Sequence, residues 1–217
     1  MDDQWSFVCN GTLRGYGEFL ERFVGEAVQR EQRQGTYLLR QGDPAACLYL
    51  LLSGVVENSV FLEDGRKKIN MLYTGKSLLG ISSMDSDVSQ VNLRCLTNVR
   101  LALIHKQAVA QWKPDLLLPV ALSQTYKMQG VYRQLREQSF LSTEEQVLKI
   151  LKDLEESGAL EGVYPMRRVR YQMLADMLGL SRVQVSAIIG RLASQGKISP
   201  RCREALGLSG LEEKADG

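Results

Sequence analysis

The sequence predicts an α+β protein with an N-terminal β-roll of the jelly-roll kind, a long helix and a C-terminal winged helix-turn-helix. Short apolar segments separated by glycine run from about residue 35 to residue 104. A helical pattern then extends from Pro114 to about Gln138, and two short helices joined by a glycine follow between Tyr171 and Leu192. These patterns divide the 217 residues into three parts, 1–113, 114–139 and 140–217.

For the N-terminal domain, the number and the shortness of the predicted strands indicate a β-sandwich or barrel. Glu63-Asp64-Gly65-Arg66 is expected to join two of them, because Gly65 can adopt the positive φ of a tight hairpin turn. Many short strands at this spacing are typical of a sandwich or barrel. The predicted strands cover residues 48–54, 55–62, 69–72, 91–95 and 100–104.

Apolar residues on the long helix follow an alternating spacing of three and four. This spacing predicts the seam of a two-stranded coiled coil, in which a second helix covers the apolar stripe. A helix that packs the stripe on its own domain has the same pattern, so both interpretations stay open at this point. The seam residues are Leu118, Ala121, Thr125, Met128, Tyr132 and Leu135.

The stretch from Tyr171 to Leu192 carries the start and stop signals of two consecutive helices. Gly179 can take the left-handed conformation that ends the first helix. Ser181 is expected to cap the second helix, and Gln184 three residues later completes a capping box. Polar residues on the outer face of the second helix are typical of a DNA-binding helix-turn-helix. Its apolar stripe consists of Val185, Ile188, Ile189 and Leu192.

Two further elements complete the predicted C-terminal domain. Ser142 and Glu145 form another capping box, which predicts a helix that ends before Gly158. Residues 197–200 and 205–208 are short enough to form the two strands of a wing.

The net charge of +2 conceals a strongly basic C-terminal region. Between Tyr164 and Arg203 lie eight basic residues and one acidic residue, Asp176, so the rest of the chain is net acidic. Because this run coincides with the helix-turn-helix, contact with the phosphates of double-stranded DNA explains it better than a solvated surface does. The basic residues are Arg167, Arg168, Arg170, Arg182, Arg191, Lys197, Arg201 and Arg203.

Cysteine and histidine usage argues against metal and cofactor sites. Cys9, Cys47, Cys95 and Cys202 lie far apart, which indicates unpaired thiols in a reducing compartment. His105 is the single histidine, so a cupin-type metalloenzyme, which needs several histidine ligands, is excluded. A capping or surface role is expected for this histidine. With no catalytic constellation in the sequence, we expect no metal, no cofactor and no enzyme activity.

Membrane and export signals are also missing from the sequence. No apolar run approaches the roughly 20 residues of a membrane helix. The N-terminus lacks the basic start and apolar core of a secretory signal. We therefore expect a cytoplasmic protein without a membrane partner.

The order of β-roll, long helix and winged helix-turn-helix resembles the CRP/FNR family of bacterial transcription regulators over roughly residues 30–208. Its specific marks are Arg40-Gln-Gly-Asp43, Leu50–Gly54, Asp64-Gly65 and Leu174–Val183. The resemblance implies a β-roll of the cyclic-nucleotide-binding type, a homodimer, and recognition helices in the major grooves of a near-palindromic site. RNA polymerase is an implied further partner. The implied dimer interface consists of Ala121, Thr125, Met128, Tyr132 and Leu135.

The resemblance also implies DNA contacts, position by position. Arg182, Val183, Ser186 and Ala187 are expected to face the bases, and an arginine can bond a guanine edge bidentately. Gln184 is expected to reach a phosphate or an adenine. The family usually has an arginine where this chain has Ala187, so its half-site specificity should differ from the common consensus. The expected phosphate contacts are Arg191, Lys197, Arg201 and Arg203.

The effector predicted from the sequence is a small molecule other than a cyclic nucleotide. Family members that bind cyclic nucleotides hold the ribose with Gly-Glu and the phosphate with Arg-Ser or Arg-Thr, whereas this chain has Gly80-Ile81 and Ser89-Gln90. A buried phosphate without its cation is poorly compensated. The cysteine cluster of the iron–sulfur branch is missing, and His105 does not support haem binding.

A second, narrower resemblance concerns the segment from Phe61 to Gly80. It looks like the regulators of reductive dehalogenation that sense halogenated phenols, in which a lysine on the long helix meets the phenolate. Lys127 lies at about the matching position. Lysines are rarely buried, so an exposed helix lysine is the competing interpretation. A regulator that lost its ligand, or that answers to a protein partner, also stays open. The candidate effector residues are Lys127, Met71, Leu72, Gly80 and Ile81.

Overall fold

The computed structural model describes residues 7–9, 11, 13, 16–109, 111–112, 114–156 and 169–207. They form a β-roll, a long helix and shorter C-terminal helices, which confirms the predicted α+β architecture. The elements are β1 (Val8–Cys9), α1 (Gly17–Glu26), β2 (Val28–Gln32), β3 (Tyr37–Leu39), β4 (Cys47–Ser53), β5 (Val56–Phe61), β6 (Lys67–Tyr73), β7 (Ser77–Leu79), a 3-10 turn (Ile81–Ser83), β8 (Asn92–Cys95), β9 (Val99–His105), α2 (Lys106–Val109), α3 (Pro114–Phe140), α4 (Thr143–Glu156), α5 (Tyr171–Leu178), α6 (Arg182–Ser194) and α7 (Pro200–Ala205).

Two sheets form the β-roll. The five-stranded sheet has the order β1-β6-β5-β8-β3, and the four-stranded sheet has the order β2-β9-β4-β7. Strand β1 runs parallel to β6, whereas the other strands of the described residues pair antiparallel. The predicted turn between β5 and β6 is confirmed, with Gly65 at φ 81°. The core between the sheets consists of Cys9, Leu39, Tyr49, Leu51, Val56, Met71, Tyr73, Leu79, Leu93, Cys95, Val99 and Leu101.

Lys76, between β6 and β7, is held in the left-handed region at φ 63°. Its N–H donates to the carbonyl of Leu51 over 2.6 Å, and its carbonyl accepts from the N–H of Leu13 over 3.2 Å. For a residue with a Cβ atom this conformation costs about 1–2 kcal/mol. The exposed side chain therefore sits on a strained backbone.

Replacing Lys76 by glycine is expected to raise the free energy of unfolding by roughly 0.5 kcal/mol. Glycine relieves about 1–2 kcal/mol of backbone strain. This gain exceeds the backbone entropy cost of glycine, which is about 0.5–1 kcal/mol. Urea denaturation of Lys76→Gly, with Lys76→Ala as the control, measures the difference. A glycine variant less stable than the alanine variant would contradict this expectation.

The long helix α3 turns its apolar stripe outward and a polar face inward. Ser123, Lys127 and Gln134 are buried, whereas Tyr132 is 63% exposed and Leu135 is 54% exposed. The stripe is thus not packed on its own domain, and that interpretation of the spacing is wrong. All six seam residues are exposed: Leu118, Ala121, Thr125, Met128, Tyr132 and Leu135.

The caps predicted for the helix-turn-helix are confirmed. Gly179 ends α5 with φ 72°, and its N–H donates to the carbonyl of Ala175. Ser181 and Gln184 form the capping box of α6. The break between the two helices bends them by 107°. Within the described part of the chain no single helix is long and apolar enough to cross a membrane, and α5 and α6 pass that test only as this bent pair.

The predicted wing strands at residues 197–200 and 205–208 are wrong, because residues 200–205 form helix α7. Ser199 caps α7 by accepting from the N–H of Cys202 over 3.1 Å. Pro200 occupies the first turn, where its fixed φ and missing N–H favour a helix start. Four predicted positions lie outside the described residues: Gly158, Arg167, Arg168 and Leu208.

The C-terminal helices share one hydrophobic core with the outer face of the five-stranded sheet. Ile69 and Leu72 of β6 point to that side, and Phe7 joins them from the segment before β1. Their partners come from α4, α5 and α6, so the helix-turn-helix is docked on the β-roll. The helical side of this core includes Val147, Ile150, Leu151, Leu174, Met177, Val185, Ile189 and Leu192.

Candidate DNA-binding surface and effector cavity

Helix α6 separates a buried apolar face from an exposed face. Val183 is 78% exposed, although its side chain is apolar. Beside it on the exposed face lie Arg182, Ser186 and Ala187, the residues predicted to meet bases. The buried face consists of Val185, Ile188, Ile189, Leu192 and Ala193. This arrangement leaves the predicted base-reading residues together on one accessible side of a capped helix.

Gln184 is engaged in the cap of its own helix. Its Oε1 atom accepts from the backbone N–H and from the hydroxyl of Ser181, both over 2.9 Å. The carbonyl end of this amide is therefore committed to the turn. Its amide NH₂ group remains as the donor for the phosphate or adenine contact that the resemblance implies.

The predicted phosphate-binding residues have different surroundings. Lys197 and Arg201 are exposed. Arg191 pairs with Glu144 of α4 over 2.7 Å but keeps an exposed side chain. Arg203 is half-buried, and its Nη2 atom donates to the carbonyl of Ala193 over 2.8 Å. Arg203 thus ties α7 to the end of the recognition helix, a structural role that the sequence did not indicate.

A depression of about 640 Å³ lies beside the start of α6. Arg182 borders it together with Arg170, which is exposed just before α5, and Gln172. Gln172 donates from Nε2 to Asp176 Oδ1 over 2.7 Å. The charge pattern identified the two arginines, but nothing in the sequence identified Gln172 as their neighbour.

A cavity of about 310 Å³ lies between the β-roll and α3. Four of the predicted effector residues, Met71, Gly80, Ile81 and Lys127, line it. Leu72 does not line it, because its side chain lies on the other face of the sheet in the core shared with α5. The cavity is also lined by Met128, predicted as a seam residue, and by residues that the sequence did not single out: Asn58, Asn70, Tyr73, Ser82, Val91, Leu93, Gln124, Val131 and Gln134.

Lys127 is the only charged side chain among the described residues that line this cavity. It is 7% exposed, so the interpretation of an exposed helix lysine is wrong. Its Nζ atom donates to the carbonyl of Leu78 and lies 5.2 Å from the centre of the Tyr73 ring. Within the described part of the chain no carboxylate forms an ion pair with it. Burial lowers the pKa of Lys127 from 10.5 to about 8, and the neighbouring Cys9 opposes the shift.

A chain of side-chain amides runs along one wall of the cavity. Asn58 Nδ2 donates to the Tyr73 hydroxyl over 3.4 Å, and Asn70 Nδ2 donates to Asn58 Oδ1 over 3.2 Å. Gln134 Nε2 of α3 donates to the backbone carbonyl of Asn70 over 2.8 Å. These bonds connect β5, β6 and α3. Isolated amides on strands carry no motif, so sequence reasoning could not have found them.

The positions that hold cyclic nucleotides elsewhere in the resembled family carry no charge here. Ile81 begins a 3-10 turn beside the cavity. Ser89 is buried and donates from Oγ to the carbonyl of Val91 over 2.7 Å. His105 is exposed, and its Nδ1 atom accepts from the N–H of Gln107 over 3.3 Å, a capping contact at the start of α2. The described residues contain no cluster of three or more metal-ligating side chains, and the four cysteines are free thiols.

Comparison with known proteins agrees with this geometry. Residues 29–112 match the cyclic nucleotide-binding domain family. The CRP-like protein Clp of Xanthomonas oryzae pv. oryzae is 25% identical over 194 residues, 84% of each chain. The structure of the c-di-GMP-responsive global regulator CLP of Xanthomonas campestris superposes with a TM-score of 0.73 at 25% identity, over 82% of this chain and 92% of that one.

A second solved structure has the same fold at lower identity. The transcriptional regulator TTHA1359 of Thermus thermophilus, of the CRP/FNR family, superposes with a TM-score of 0.66 at 21% identity, over 78% of this chain and 87% of that one. The β-roll, the long helix and the capped helix-turn-helix occur here in one chain, and its relatives are transcription regulators. The chain is a homologue of the CRP-like protein Clp, and its structural neighbours are transcription regulators of the CRP/FNR family.

Proposed function

We propose that this chain is one subunit of a homodimeric, sequence-specific DNA-binding regulator whose β-roll cavity takes a small monoanionic effector. Residues 1–113 form the sensor, residues 114–139 the dimerisation helix and residues 140–217 the DNA-binding domain. The observation that carries the proposal is α6, a capped helix with Arg182, Val183, Ser186 and Ala187 exposed on one side. A basic region surrounds it, as expected for phosphate contact. Contact with RNA polymerase rests on the family resemblance.

The exposed apolar stripe of α3 supports the proposed homodimer. Its apolar stripe faces solvent, whereas its buried face contains Ser123, Lys127 and Gln134. An exposed apolar stripe with 3–4 spacing matches the self-complementary seam that two copies of one helix can form around a two-fold axis. Two recognition helices carried by such a dimer read two half-sites about one turn of DNA apart.

The charge and size of the cavity support a small monoanion. Lys127 supplies one buried positive charge, and a buried charge is stabilised mainly by a partner of opposite sign. The relative from Xanthomonas campestris is described as responsive to c-di-GMP, a ligand with two phosphates. A cavity of about 310 Å³ with one ammonium suits a smaller carboxylate or phenolate whose apolar body lies against Met71, Ile81 and Leu93.

Selection from random duplex DNA with the purified protein tests the DNA-binding part. We expect enrichment of a near-palindrome whose half-site centres lie about 10 base pairs apart. Folded, dimeric protein that enriches no sequence, with or without added anions, would overturn the proposed function.

Replacing Arg182 by alanine is expected to relax the preference at one base pair of each half-site by about 1–3 kcal/mol, because a bidentate arginine–guanine contact is lost. Fluorescence anisotropy on the selected site and its single-base variants measures this preference. Lys197→Ala is the matched control, and it should weaken binding to all sequences alike by removing a phosphate contact. Equal weakening on all sites by Arg182→Ala would contradict the base contact.

A further inference from the structure

Strand β6 separates the effector cavity from the helix-turn-helix. Asn70, Met71 and Tyr73 line the cavity on one side. Ile69 and Leu72 lie on the other side, in the core shared with α5 and α6. Strand β6 therefore contacts both the cavity proposed for the effector and the helix-turn-helix proposed to bind DNA.

The start of β6 carries two lysines that reach the last turn of α5. Lys68 Nζ donates to the carbonyl of Met177. Lys67 Nζ lies 3.8 Å from Asp176 Oδ2 and 2.6 Å from Oε1 of the buried Glu57. A cation at a helix C-terminus is favoured by the unpaired carbonyls and the helix dipole. The β-roll thus holds α5 by the turn that leads through Gly179 into the recognition helix.

A bulge lies between the lysines and the cavity. Met71 pairs with Asn58 and Ile69 pairs with Ser59, which leaves Asn70 as the extra residue of β6. A bulge bends its strand and re-aims side chains. The amide of Asn70 faces the cavity and bonds to Asn58, while its carbonyl is held by Gln134 of α3. Any ligand group that competes for the Asn58 or Asn70 amides therefore acts on β6 two residues from Lys68.

We propose that β6 is the link through which the cavity positions the recognition helix, with Lys67 and Lys68 as positioning residues that hold the C-terminal turn of α5. This inference rests on the proposed function, because it assigns the route between its two sites. A ligand that shifts the amides around the bulge changes where Lys67 and Lys68 meet Asp176 and Met177. Helix α5 then has two positions, one with the ligand bound and one without it, and the orientation of α6 differs between them. The ligand thus shifts the population from one position to the other.

A double-mutant cycle tests this link without a known effector. Val91→Phe, at a lining residue outside α3 and β6, adds a ring inside the cavity and substitutes for an occupant. Lys68→Met removes the bond to Met177 and keeps the length of the side chain. Affinity for the selected DNA site is measured for both single variants and for the double variant. We expect the two effects to deviate from additivity by about fivefold or more, as coupled sites do.

Arg66→Gln provides the matched control, because Arg66 precedes Lys67 but bonds to Asp64 in the exposed turn. Its effect should add to that of Val91→Phe. Val131→Phe fills the same cavity from α3 and replaces Val91→Phe if that variant does not fold. Additive effects of Lys68→Met with a folded cavity-filling variant would overturn the link.

Hydrogen exchange separates failure of the link from failure of the proposed function. Filling the cavity should speed exchange of the amides at the end of α5 in the wild-type background, and Lys68→Met should remove that response. If neither the wild-type protein nor the cavity-filling variant binds a DNA site, but the cavity-filling variant shows this exchange pattern, the proposed function fails and the link stands. If filling the cavity does not change the exchange rate at the end of α5, the link is overturned, whether or not the protein binds DNA.

Discussion

Replacing Tyr132 and Leu135 together by glutamate is expected to produce a monomer and to lower DNA affinity by about 100-fold or more, as the loss of bivalent binding does. Both side chains are more than half exposed in the single chain and belong to the stripe that we assign to the dimer seam. Two carboxylates from each subunit would meet in an apolar seam, where like charges repel and lose their hydration.

Sedimentation equilibrium measures the dimer, and fluorescence anisotropy measures the DNA affinity. The control is Gln129→Glu with Gln138→Glu, which adds the same charge at exposed positions of α3 outside the stripe. This control should remain dimeric and bind DNA. If the variant with glutamate at both Tyr132 and Leu135 stays dimeric, the assignment of these residues to the dimer seam is contradicted.

Replacing Lys127 by methionine is expected to raise the free energy of unfolding at pH 7 by up to about 3 kcal/mol and to abolish anion binding in the cavity. The pKa of Lys127 is about 8 in the folded protein against 10.5 for the free side chain, and one pKa unit corresponds to about 1.4 kcal/mol. Burial of the ammonium is the cause, and methionine fills similar space without charge.

The pH dependence has a defined sign. Below pH 8 Lys127 is protonated in both the folded and the unfolded state, so its destabilising effect is complete. Between pH 8 and 10.5 the unfolded chain binds more protons than the folded one, so the contribution of Lys127 to stability rises with pH. The stability difference between Lys127→Met and wild type should therefore shrink over this range.

Urea denaturation at pH 7 and pH 9.5 measures this difference, with Lys106→Met as the control. Lys106 also donates to a backbone carbonyl, that of Ser86, but from a less buried site. Thermal shift with benzoate, a chlorinated phenol, cyclic AMP and c-di-GMP measures ligand binding. We expect stabilisation by one of the two small anions in wild type and none in Lys127→Met. Stabilisation by a nucleotide, with none by benzoate or the chlorinated phenol, would contradict the proposal that the effector is a small monoanion.

Local signals in the sequence were sufficient for the helix-turn-helix. The left-handed Gly179 and the capping box of Ser181 and Gln184 depend on bonds within four residues, so propensity and geometry agree. The predicted wing strands are wrong because an equally local signal starts a helix there. Ser199-Pro200 is an N-cap followed by a first-turn proline, and this start signal outweighs the short apolar segments on either side that predict strands.

The long helix shows why the candidate cavity could be predicted only in part. Hydrophobic periodicity finds the stripe that ends at Tyr132 and Leu135, yet that stripe faces solvent in the single chain. The face that packs on the roll contains buried polar side chains, with Lys127 and Gln134 bonded to backbone carbonyls of β7 and β6. Such partners are distant in sequence and have no period, so the burial of Lys127 is visible only in three dimensions.

The core shared by β6 and the C-terminal helices has a thermodynamic consequence. Ile69 and Leu72 are as fully buried as Leu174 and Ile189, and all four belong to one cluster. Separating the DNA-binding helices from the roll would expose both sides of that cluster to water. We therefore expect the roll and the C-terminal helices to share part of their free energy of unfolding and to unfold as one cooperative unit, so that heat or denaturant acting on the roll also perturbs the helix-turn-helix.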